Sequence, residues 1–164
     1  MPEKRCDDSP GPIIAEEEVA YGLYSPQVFD RNTGELTPEA IKIDDLRGPS
    51  TGHINVCGHS TGLSVSRVSV PDGLVELKRI ISEIVSRRDG RRREGYAAAL
   101  VRQIWEIKGA EAATRPLVVL DDGRADYRSH AVIRSAPGLA RSALRGPKHD
   151  LIALLNACIV RGAD

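Results

Sequence analysis

The chain has 164 residues, with 23 basic and 23 acidic side chains, so its formal net charge is zero and no polyanion-binding excess marks it as a whole. A hydrophobic content of 41% suffices for one buried core, and aromatics at 4% leave Val, Ile, Leu and Ala to fill it. The apolar runs are too short for a transmembrane helix. Residues Met1–Arg5 lack the apolar stretch of a secretory signal, and Cys6, Cys57 and Cys158 have no framework spacing. The expectation is a cytoplasmic protein with no membrane partner.

The zero balance hides an asymmetry. Residues 1–50 hold eleven acidic and five basic residues, leaving twelve acidic and eighteen basic residues for the rest. Of the 23 basic residues, 18 are arginine, the side chain best suited to carboxylate and phosphate oxygens.

In chain order, residues 1–18 read as a flexible acidic, proline-rich tail: Pro2, Pro10 and Pro12 break regular structure and no apolar periodicity supports packing. Residues 19–164 read as a single α+β domain. Val19–Tyr24 forms a first strand that Val28-Phe29 can continue. Asp30–Glu35 is a turn, with Asn32 and Gly34 suited to positive φ. Thr37-Pro38-Glu39 opens a short helix or leads into a strand through Ile41 and Ile43. His53–His59 reads as extended, with His53, Asn55, Cys57 and His59 on one face. Leu63–Val70 alternates as a second stretch of strand. From Asp72 to about Arg87, Leu77, Ile81 and Ile84 form the apolar stripe of an amphipathic helix. Residues 91–108 fit a helix through Tyr96, Leu100, Ile104 and Trp105, with a strand followed by a short helix as the close second. Leu117–Leu120 is a buried strand stopped by Asp121-Asp122-Gly123, read as a turn. Ala131–Ile133 is another strand, and Pro147–Ile159 a C-terminal helix. The expected architecture is a compact domain with a mixed β-sheet and helices packed on one face.

Four constellations carry possible chemistry. His53, Cys57 and His59 supply the imidazole and thiolate donors that zinc accepts, although their spacing matches no established zinc motif. Ser64 lies in the strand after His59, and His130 opens a later strand; a histidine beside a hydroxyl can act as its general base. Arg67, Arg128 and Arg134 surround these candidates in sequence and would bind an anionic ligand. Arg87, Arg88, Arg91, Arg92 and Arg93 form a basic cluster that could contact nucleic-acid phosphates, with only Tyr96 nearby as a stacking partner.

Three pieces together, Gly62-Leu63-Ser64-Val65, Leu117-Val118-Val119 before an aspartate turn, and His130-Ala131-Val132-Ile133, resemble a group of small uncharacterised bacterial proteins. That group has a mid-chain L-S-V and a late H-A-x-I stretch. The resemblance covers roughly residues 20–160 and implies bacterial origin and single-domain size, with no reaction attached. It carries over Ser64 and His130 as site candidates. This chain departs from the group at Tyr21–Tyr24, where an arginine would follow the first tyrosine.

Two function classes follow. In the first, the chain is a non-catalytic or regulatory binding module of a bacterial assembly, recognising a protein or an anionic nucleotide or nucleic-acid partner. In the second, it is a small enzyme. His59 and His130 would then do acid–base chemistry on a phosphate- or carboxylate-bearing substrate, assisted by a metal at His53, Cys57 and His59.

Overall fold

The computed structural model describes residues 9–47, 62–109 and 115–162. The elements in chain order are β1 (Glu18–Ser25), β2 (Phe29–Asp30), β3 (Glu35–Leu36), α1 (Ile43–Leu46), β4 (Leu63–Arg67), α2 (Gly73–Ser86), β5 (Arg92–Leu100), α3 (Val101–Trp105), β6 (Leu117–Asp121), β7 (His130–Ser135), α4 (Arg145–Asn156) and β8 (Ile159–Arg161). A 3-10 turn, Arg141–Leu144, leads into α4. Six strands form one sheet in the order β6-β7-β4-β1-β5-β8, and β2 and β3 pair separately. The α+β class expected from the sequence is the one observed.

Two details of the expected architecture are corrected. Every strand pairing among the described residues is antiparallel, so the sheet is not mixed. The two long helices also lie on opposite faces. Val19, Tyr21 and Leu23 of β1 enter the main core with Leu151 and Leu155 of α4, whereas Ala20 enters a second cluster with Leu77 and Ile81 of α2. Successive residues of a strand point to opposite faces, so these memberships place α4 and α2 on either side of the sheet. The residues of β1 explain why. Its large side chains share one face; the other bears Ala20 and Gly22, small enough for a helix to approach closely. A Cβ at Gly22 would collide with the side chain of Ile81.

Residues 92–105 take the second of the two readings, a strand followed by a helical turn. Ala97–Ala99 favours a helix locally. However, β5 pairs along nearly its whole length with β1, from Glu18↔Leu100 to Ser25↔Arg92, and buries Ala97 and Ala99. Tertiary pairing outweighs a propensity worth a few tenths of a kcal/mol per residue. The C-terminal helix is likewise shorter than expected. It stops at Asn156, and Ile159 enters β8, paired to Ala97 of β5.

From Ser9 onward the N-terminal segment makes defined contacts with the sheet. Arg67, buried to 4% side-chain exposure, donates from Nε and Nη2 to Glu17 at 2.6 and 3.0 Å. It also donates to the carbonyls of Gly11 and Pro12 at 2.8 and 2.9 Å, and reaches Asp121 at 3.4 Å. Arg102 N–H binds the carbonyl of Ala15 and Val101 N–H that of Glu17. These contacts tie the segment to β4 and α3, and β1 begins at Glu18. Among the described residues, no helix is long and apolar enough to cross a membrane.

Candidate active site

The alternation of β4 determines what the site can contain. Leu63 and Val65 belong to the main core, so Ser64 and Ser66 point to the opposite face, where α2 lies. Antiparallel register sets Ser64 across from Val132 and Ser66 across from His130. His130 and Val132 therefore share the face of the two serines. Ser64 is the exposed residue of its strand, whereas His130 is 3% exposed.

The imidazole of His130 bridges two partners. Its Nε2 lies 3.1 Å from Ser64 Oγ, and its Nδ1 lies 2.9 Å from Asp122 Oδ2. An ionised carboxylate only accepts, so Nδ1 carries a proton, and in the neutral imidazole Nε2 is left to accept from the Ser64 hydroxyl. Asp122 is buried at the end of β6, where its N–H binds the carbonyl of His130 at 3.0 Å. Arg124 Nη2 donates to the same Oδ2 at 3.0 Å. Burial pushes the Asp122 carboxyl up. The hydrogen bonds from His130 and Arg124, with the positive charge of Arg124, outweigh it and hold the group below the usual carboxylate range.

Tyr127 supports the imidazole from the side. Its ring centroid lies 4.9 Å from that of His130, and its hydroxyl bonds to that of Ser66. Burial raises the Tyr127 phenol above its ordinary value, which keeps it neutral. Ser64 and His130 open onto a cleft of about 440 Å³ whose α2 wall is apolar, formed by Leu77, Ile80, Ile81 and Ile84. The unit thus has a buried orienting carboxylate, a buried imidazole in a defined tautomer and an accessible hydroxyl beside a small cavity.

The other sequence candidates fall elsewhere. His53, Cys57 and His59 lie outside the described residues, and with them the metal reading and the His59 half of the acid–base pair. Among the described residues, no group of three or more His, Cys, Asp or Glu could hold a metal ion. Arg67, expected to bind a ligand, shares the parity of Leu63 and Val65, and its guanidinium is engaged by Glu17, Asp121 and the N-terminal segment. Arg128 is exposed, and its backbone N–H binds Glu76. Arg134 is buried on β7, two residues beyond Val132.

Of the basic cluster, Arg87 caps α2 and Arg88 is exposed in the turn that follows. Arg91 donates to the carbonyl of Ile84 and stacks over Tyr24, Arg92 is exposed on β5, and Arg93 donates to Ser82 Oγ.

Sequence reasoning missed Tyr127 and favours a turn over a chemical role for Asp121-Asp122. The signal for Asp122 in the sequence is a carboxylate ending a buried strand, eight residues before a histidine that opens the next one. No protein-family model, curated protein or solved structure matches this chain.

Proposed function

We propose that the protein is a serine-nucleophile enzyme that cleaves or transfers a small acyl group, with Ser64 as nucleophile, His130 as general base and Asp122 as the group that orients the imidazole. The carrying observation is the continuous chain from Asp122 Oδ2 through His130 to an exposed Ser64 Oγ, at 2.9 and 3.1 Å. Those are the distances and roles of an activated hydroxyl, which is recognised by geometry rather than chain order.

In the reaction, Ser64 Oγ bonds to the carbonyl carbon while its proton passes to His130 Nε2. The intermediate collapses, the bond to the leaving alcohol or thiol breaks, and the leaving group takes the proton from His130. Water then attacks the acyl-Ser64 ester, giving a proton to His130, and the carboxylic acid leaves as the proton returns to Ser64 Oγ. Asp122 stays ionised and stabilises the imidazolium. The apolar wall from α2 suits an acyl group of a few carbons.

A fluorophosphonate probe tests this directly, because an activated serine displaces its fluoride and becomes phosphonylated. Mass spectrometry should find the adduct on Ser64, and Ser64→Ala and His130→Ala should abolish it together with hydrolysis of p-nitrophenyl butyrate. Labelling that is absent, or unchanged in Ser64→Ala, refutes the proposal.

One observation favours the binding-module reading instead. Ser64 sits within a regular ladder opposite Val132, not on a sharp strand-to-helix turn. In that reading the same hydrogen bonds only fix the sheet surface, and the cleft receives a partner without turnover.

A further inference from the structure

The register that sets Ser64 across from Val132 also sets His130 and Arg134 on either side of it, on the same face of β7. Diagonal neighbours of this kind stand roughly 7–8 Å apart between strands, within reach of a long side chain. Arg134 is 3% exposed, yet its Nε and Nη1 are buried without a hydrogen-bond partner among the described residues. Those two nitrogens carry three N–H donors. A buried cation with unmet donors is costly, and a ligand that accepts from them would offset the cost. Desolvation alone lowers the basicity of this guanidinium from its usual value. By contrast Arg67, equally buried, is satisfied by Glu17, Asp121 and two carbonyls.

The backbone beside Arg134 is also shaped for close approach. Gly62, immediately before β4, lines the same cleft as Ser64. A Cβ on it would stand 3.1 Å from Arg134 Cβ and 3.0 Å from Val132 Cβ. The cleft therefore extends from the apolar wall of α2, past Ser64, to the residue lying against Arg134.

We infer that Arg134 is the anion-binding half of the site, holding a carboxylate or phosphate group of the substrate beside the scissile bond at Ser64. This rests on the acyl-transfer reading for its place in the reaction, but the anion site has its own readout. The substrate would be an ester or thioester with an apolar acyl group along α2 and an anionic leaving portion toward Gly62 and Arg134.

The test uses the full chain and inorganic phosphate as probe, followed by NMR of the His130 ring and the Arg134 Nε–H. Both signals should shift saturably in the wild type and in Ser64→Ala. In Arg134→Met the His130 shift should vanish, with affinity weakened at least about tenfold, the equivalent of one charge-assisted hydrogen bond. Arg134→Met should also be as stable as the wild type or more so, because it removes an uncompensated buried charge. Arg134→Lys serves as the charge-retaining control should the Met variant fold poorly. No saturable shift, or a shift that persists in Arg134→Met, overturns the inference.

Paired esters then distinguish the two source chemistries and separate the two proposals. Phenyl butyrate, its 4-carboxyphenyl analogue and its 4-phosphophenyl analogue should be cleaved in a Ser64-dependent way, the charged ones preferentially, with the preference lost in Arg134→Met. Equal cleavage of all three, unaffected by Arg134→Met, overturns the anion site and leaves the acyl-transfer reading standing. Phosphate binding through Arg134 without Ser64-dependent cleavage upholds the anion site and removes the acyl-transfer reading.

Discussion

At the scale of single residues, the site depends on one proton's position. Asp122→Asn would preserve shape but present an amide N–H to His130 Nδ1, favouring the tautomer protonated on Nε2, which cannot accept from Ser64. Ester hydrolysis should fall by roughly 10³–10⁴-fold while the fold persists, measured as kcat beside a circular-dichroism melt. The same carboxylate sets a pH dependence. Its folded pKa lies below the unfolded value of about 3.9. Its contribution to stability is therefore complete above that value and lost as pH falls through the folded one. Denaturant midpoints of the wild type should drop below about pH 4 more steeply than those of Asp122→Asn; parallel curves would show that Asp122 is not held as described. Residue types single out Ser64 and His130 as candidates, because hydroxyl and imidazole carry chemistry wherever they occur. The same scan could not tell Arg67 from Arg134. One guanidinium meets Glu17 fifty residues away and the other lacks partners at Nε and Nη1 among the described residues, a difference created only by the fold.

At the scale of elements, α2 was readable because its stripe is strictly periodic, and the structure buries Leu77 at 5% and Ile81 at 8% exposure. Ile84 is only partly buried at the cleft rim. Ile81 packs where Gly22 leaves room on β1, so Ile81→Ala opens a cavity rather than trimming an exposed edge. It should cost about 2–4 kcal/mol in a urea titration, with the slope unchanged. A cost under about 0.5 kcal/mol would mean that the α2 interface is looser than its burial indicates. The elements that sequence reasoning misplaced share a cause. β5 and β8 are alanine-rich or very short, and each becomes a strand only because a neighbour offers backbone donors and acceptors: β1 to β5, and β5 to β8. Local propensity holds no record of that pairing. It therefore favoured a helix at Ala97–Ala99 and ran the last helix through Ile159.

At the scale of the whole molecule, the N-terminal segment and the site are joined through consecutive residues of one strand end. Asp121 faces Arg67, which holds Glu17 and the carbonyls of Gly11 and Pro12; Asp122, next in sequence, turns to His130 on the other face. Arg67 N–H also binds the carbonyl of Ser129, the residue before His130. Removing Glu17 leaves a buried guanidinium without its bidentate partner, a change worth roughly 3–5 kcal/mol in comparable buried pairs. Glu17→Gln should therefore destabilise the domain by an amount of that order, and a chain beginning at Glu18 by more, since it also loses the two carbonyls. The loss should be felt unevenly. Native-state hydrogen exchange in Glu17→Gln should accelerate at the Asp122 and Gly123 amides, which bond to the His130 carbonyl and to Asp121 Oδ1. Amides of the β5–β8 ladder, anchored separately by the buried Glu94 with Arg31 and Arg161, should change only with global stability. Uniform acceleration across both regions would mean that the N-terminal segment supports the fold as a whole. Selective acceleration at Asp122 would mean that it braces the strand end from which the orienting carboxylate reaches His130.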